Sequence, residues 1–127
     1  MSLLSAFNTQ LVNLSDNLCE MYPGDTDIHF TNSSLHLFKK SNPRQLYTMC
    51  NKYIKIYHKK ILDKDDGFFL KNDFNEHYED NGLGDNKNIE NIINNLKKYW
   101  TVMDDDSKEN IWKYLQVLVV LNDKLEK

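Results

Sequence analysis

A chain of 127 residues, 40% apolar and 28% charged, is long enough to bury about two-thirds of its unfolded surface as one domain spanning 1–127. That balance excludes a disordered tail, and a formal charge of −3 excludes a protein whose whole surface is built to hold nucleic acid. Cys19 and Cys50 are too few for a disulfide framework and share no metal-binding spacing.

The first predicted helix runs from about Ser2 to Tyr22. Leu4, Phe7, Leu11, Leu14, Leu18 and Met21 alternate by three and four residues, which holds them on one helical face. The same stretch has no cationic leader, and Asn8, Gln10 and Asn13 interrupt its apolar run, so neither an export signal nor a membrane span is expected. Tyr22-Pro23-Gly24 breaks the helix. A second helical stretch covers about Asp25 to Lys40, where Thr31-Asn32-Ser33-Ser34 reads equally as a turn within the segment or as a cap.

Asn42-Pro43 restarts the chain, with Asn42 as cap and Pro43 at the first helical position, and the third helix is predicted to reach Leu62. Asp63 to Gly67 forms a polar turn before a short fourth helix holding Phe68, Phe69, Leu70, Phe74 and Tyr78. Adjacent Phe68 and Phe69 cannot both face inward, so they form a candidate exposed apolar patch. A loop at Asn81 to Asp85 precedes a fifth helix from about Lys87 to Met103. A sixth opens at Asp104 to Ser107, where Asp106 and Glu109 have capping-box spacing. Ile89, Ile92, Leu96, Tyr99, Met103 and Ile111, Tyr114, Leu118, Leu121, Leu125 repeat the three–four alternation. Trp112 and Leu115 to Leu121 make the last helix apolar on nearly every side, which predicts a place at the centre of a bundle. The expected fold is therefore an all-α single domain of five or six helices with short connections, its core drawn mostly from the first, fifth and sixth.

Chemistry is sparse. Neither Gly67 nor Gly82 fits position six of a calcium loop, because the flanking ligand positions hold Leu62, Lys64, Leu83 and Asn88. His29, His36, His58 and His77 are scattered, and no nucleophile elbow or phosphate-cradling glycine loop occurs. No enzyme activity, cofactor or metal is expected. Charge is the uneven feature. Ile28 to Leu62 holds no acid and seven basic residues, whereas Asp63 to Asp85 holds eight acids and two lysines. At about 100° per residue, Arg44, Lys52, Lys55 and Lys59 share one face of the third helix, opposite Leu46, Met49, Cys50, Tyr53, Ile56 and Tyr57. That face is a candidate surface for an anionic partner, and the ordinary alternative is a solvated lysine stripe matched by the neighbouring acids. With Arg44 the single arginine, bidentate phosphate recognition is disfavoured. Tyr53 and Tyr57 could stack on bases or pack in the core, and Trp100 and Trp112 are expected in the core.

Phe7-Asn8-Thr9-Gln10-Leu11, Tyr22-Pro23-Gly24-Asp25, Asn42-Pro43-Arg44, Phe68-Phe69-Leu70 and Ile111-Trp112-Lys113-Tyr114-Leu115 resemble segments of small uncharacterised helical proteins of giant DNA viruses of algae and protists. The lysine- and asparagine-rich composition agrees with such a source. The resemblance implies an intracellular, infection-associated protein and supplies no catalytic residue. The expected role is a protein-interaction or assembly module with a viral or host protein partner, in the virion or the host cytoplasm. An accessory nucleic-acid-binding factor using the basic face of the helix over 43–62 is the alternative. Homodimerisation through a patch near Phe68 and Phe69 is a further expectation.

Overall fold

The computed structural model describes residues 2–65 and 87–126, and for 87–93 the backbone alone. Among them are five helices and no strand: α1 (Leu3–Met21), α2 (Thr26–Ser41), α3 (Pro43–Leu62), α4 (Lys87–Trp100) and α5 (Asp105–Glu126). The all-α class follows directly from the three–four stripes. The expected short helix at Phe68 to Tyr78 and the Gly82 loop lie outside the described residues.

Local chemistry sets most boundaries. Ser2 caps α1 by accepting the Ser5 amide at 3.0 Å. Asp25 caps α2 through the Ile28 amide at 3.1 Å. Asn42 caps α3 through the Gln45 amide at 3.4 Å, with Pro43 in the first turn. Beyond α3, Lys64 adopts a left-handed φ of 53° while the Asp65 amide returns to the Lys60 carbonyl at 3.0 Å. At α5 the cap is Asp104, which accepts the Ser107 amide at 2.7 Å, and not Asp106 as the capping-box spacing suggested. Glu109 is not needed at the cap and pairs with Lys64 instead.

Two further expectations change for tertiary reasons. No turn interrupts α2 at Thr31 to Ser34. Ile28, Thr31 and Leu35 form its buried face, and the Asn32 amide reaches back to Ser15 Oγ at 3.2 Å and Asp16 Oδ1 at 2.7 Å. Polar residues that would favour a turn in isolation are thus satisfied by α1. The last helix is also not central. It packs against α1 and α3, leaving Val117 and Val120 on the outside.

The centre is α1, which packs against α2, α3 and α5 and buries Phe7, Leu11, Leu14 and Leu18. Cys19 Sγ reaches the Ile28 carbonyl at 3.9 Å near one end of α2, and Asp16, earlier in α1, takes His36 near the other, so α1 and α2 run antiparallel. Asn51 bonded to Asn122 near one end, and Gln116 bonded to the Ile61 carbonyl near the other, make α3 and α5 antiparallel. α4 lies on α2, and Trp100 meets Trp112 edge-on at 5.4 Å, both buried as expected. The core differs in one respect from the expectation. α3 contributes Leu46, Cys50, Tyr53, Ile54, Tyr57 and Ile61, so it supplies as much as α1. Among the described residues no helix is long and apolar enough to cross a membrane.

Candidate functional site

Capped at Asn42 and anchored by its apolar side, α3 turns one face wholly outward. Arg44, Lys52, Lys55 and Lys59 are all exposed on it, so the four candidate residues do share a surface. One edge of this surface is already matched. Lys55 Nζ lies 2.7 Å from Glu126 Oε1, and the bond raises the Lys55 pKa and lowers that of Glu126. Asn51 Nδ2 donates to Asn122 Oδ1 at 2.6 Å and to Glu126 Oε1 at 3.1 Å. His58 approaches Asp123 at 3.4 Å. Among the described residues the matching acids come from the end of α5, and the expected acids from Asp66 to Asp85 lie outside them. Arg44, Lys52 and Lys59 stand clear of any carboxylate among the described residues.

The aromatic half of the expected nucleic-acid face is absent from it. Tyr53 and Tyr57 are only 5% and 3% exposed, turned into the core, and burial pushes the Tyr57 hydroxyl up to about 12. Neither offers a ring for a base to stack on. Ile56, assigned to the buried half by its angle, lies at the exposed margin, and Ile54 takes the inward place. The inward face is thus rotated toward Ile54 and Ile61, as α3 packs against α1, α2 and α5.

A different surface was missed in the sequence. On the outer side of α2, Phe30 is 68% exposed and Leu37 is 65% exposed. They are seven residues apart and so lie on one helical face, with Ser33 and Ser34 between them. The signal was legible only once Thr31 to Ser34 was known to be helical. The other candidate patch, Phe68 and Phe69, lies outside the described residues.

A polar node joins α4 to α2. The Asp25 side chain is 8% exposed. Its Oδ1 takes the Ile28 amide, while Oδ2 receives Lys98 Nζ at 2.6 Å and the Tyr99 hydroxyl. The hydrogen bonds from Lys98 and then Tyr99 outweigh burial and hold this carboxyl far below its ordinary range. Tyr99 stacks on Tyr22 with ring centroids 3.8 Å apart. Beside the node is an open cleft of about 610 Å³ lined by Met21, Tyr22, Gly24, Asp25, Lys98 and Tyr99. With its oxygens bonded to a helix cap, a lysine and a phenol, Asp25 acts as a pin between helices.

His29 and His36 are exposed and contact the Pro23 carbonyl and Asp16 respectively. Cys50 is buried, which pushes its thiol pKa up, and Cys19 is half-buried. Among the described residues no three His, Cys, Asp or Glu side chains gather as metal ligands. Comparison of the chain with protein-family models, with curated proteins and with solved structures finds no match, so the functional reading rests on these surfaces.

Proposed function

We propose that this chain is a non-catalytic protein-interaction or assembly module of a large DNA virus, acting in the virion or the infected cytoplasm, and that it engages a viral or host protein through the outer face of α2. The observation that carries the reading is the outward pair Phe30 and Leu37. Large apolar side chains presented to solvent two turns apart on one face, on a helix with a complete inward face of its own, are what a partner surface covers. The viral setting is supported by the resemblance of the Phe7–Leu11, Tyr22–Asp25 and Ile111–Leu115 segments. The commitment of Asp25 to helix capping and interhelical bonds supports a non-catalytic role.

The nucleic-acid alternative is supported by Arg44, Lys52 and Lys59 lying on one face clear of any carboxylate among the described residues, and is weakened by the burial of Tyr53 and Tyr57. Affinity capture from infected cells separates the two readings. Under the protein-interaction reading, Phe30→Ser with Leu37→Ser loses the captured protein and Lys52→Glu with Lys59→Glu retains it. Loss in the lysine variant alone, accompanied by salt-sensitive binding of DNA or RNA by wild type, would overturn it.

A further inference from the structure

We propose that the groove between α2 and α4 binds an extended peptide segment of the partner protein, with Asn95 pairing to its backbone, Phe30 to an apolar side chain and Asp27 to a basic one. This deepens the proposed function and rests on its reading of α2 as an interaction surface.

α2 and α4 run antiparallel. Asp25, at the start of α2, meets Lys98 and Tyr99 near the end of α4, and Phe30, further along α2, shares a cleft of about 300 Å³ with Asn94 and Asn95, earlier in α4. Asp27 and Lys98 line this cleft and also the larger one beside the Asp25 pin, so the two clefts meet at these residues. Asn32 and His36 face α1 on the other flank of α2, away from the groove. Asn95 is the telling residue. It is only 6% exposed, yet its side chain makes no hydrogen bond among the described residues. A buried amide left unbonded costs free energy, and a polar group entering the cleft would recover it.

The chemistry of that group follows from the amide. An asparagine side chain offers one carbonyl acceptor and one NH₂ donor, the complement of the N–H and C=O of a peptide unit. An open groove leaves a small molecule largely wet, whereas an extended chain is held by contacts repeated along it. Phe30, 68% exposed, supplies the apolar wall. Charge supplies the selectivity. Lys98 bonds Asp25 at 2.6 Å and acts on Asp27 only through space, so Asp27 has no ion pair among the described residues. Two carboxylates against one ammonium leave a negative charge that favours a lysine or arginine on the partner. The helical rise puts Phe30 about 4.5 Å beyond Asp27, the reach of one or two extended residues. Leu37, on the same side as Phe30, lies about 10 Å further, or three extended residues on. The partner segment is thus a base, an apolar residue one or two places away, and a second apolar residue three beyond that.

The test begins with a library of random twelve-residue peptides displayed on phage and selected against the full chain. Enriched peptides should carry lysine or arginine one or two positions from a bulky apolar residue. Fluorescence polarisation of the strongest peptide then compares the variants. Asn95→Leu and Phe30→Ser should each weaken it by about tenfold. Asp27→Lys should instead select peptides with an acid in place of the base. Lys52→Glu with Lys59→Glu should leave binding unchanged. Asn95→Leu should also keep or raise Tm, because it removes an unbonded buried amide. N-methylation of the peptide amide that Asn95 holds should cost about tenfold on wild type and nothing on Asn95→Leu.

A selection that enriches no common sequence overturns the peptide groove, and so does a peptide whose affinity ignores Asn95→Leu. A fall in Tm for Asn95→Leu as large as that of a core truncation would mean that the chain itself satisfies Asn95, and overturns it equally. In each case the wider reading stands if Phe30→Ser with Leu37→Ser still loses a captured protein, and fails if capture is unaffected.

Discussion

The outward faces of α2 and α3 present opposite chemistries, on helices that bury three and six residues respectively. On α3 the apolar residues are almost all turned in and the exposed arc is basic, the usual division of an amphipathic helix. On α2 the inward face needs only Ile28, Thr31 and Leu35, yet Phe30 and Leu37 remain outside. The difference shows that charge marks the surface a sequence displays most loudly, whereas unspent apolar area marks the surface more in need of a partner. Lysines are content in water, and a phenylalanine side chain is not.

The sharpest way to break this comparison is to exchange inward and outward residues of one helix. Leu35→Ala should cost about 2–5 kcal/mol of unfolding free energy in urea titration. Leu37→Ala, two residues on, should stay within about 0.5 kcal/mol. Equal losses at both positions would mean that the outer face of α2 is covered within the chain itself.

Next in size is the pin that holds α4 against α2. Asp25→Asn keeps a competent helix cap but removes the charge that Lys98 and Tyr99 bond, so it should cost about 1–3 kcal/mol. Its pH dependence has a defined sign. The folded carboxyl is held below its ordinary 3.8, so its contribution is complete above that value and drains away as pH falls beneath it. Lys98 and Tyr99 are raised from 10.5 and 10.0, so their contributions hold at neutral pH and are lost as pH climbs beyond those values. Thermal melts of wild type and Asp25→Asn should therefore converge in acid and in strong alkali, and stand furthest apart in between.

The smallest effects on stability should come from the two outward faces themselves. Phe30→Ser and the pair Lys52→Glu with Lys59→Glu should each leave the unfolding free energy within about 0.5 kcal/mol per substitution. Their consequences should divide by partner. The apolar variant should lose the captured partner protein, and the lysine variant should change only whatever anion binding wild type shows in low-salt titration with DNA and RNA. A loss of the captured protein in the lysine variant alone would reverse the ranking of the two faces.

Much of this molecule was legible in one dimension. The three–four spacing of Phe7, Leu11, Leu14 and Leu18, the break at Pro23-Gly24 and the restart at Asn42-Pro43 specify helices and their ends through local sterics and capping. The coplanarity of Arg44, Lys52, Lys55 and Lys59 follows from helix geometry alone. Other features depend on which neighbour a side chain meets. Thr31 to Ser34 is helical because Asn32 finds Ser15 and Asp16 on α1, and a turn-forming residue surrenders its local preference when a distant partner satisfies it. The Lys55–Glu126 pair and the bonding of Asp25 to Lys98 and Tyr99 join residues more than seventy positions apart, where spacing carries no information. Periodicity thus determined which residues share a helical face. Only the tertiary structure decided which of those faces were covered, because burial depends on how many neighbours a helix has, and that number is set by the packing of the whole chain.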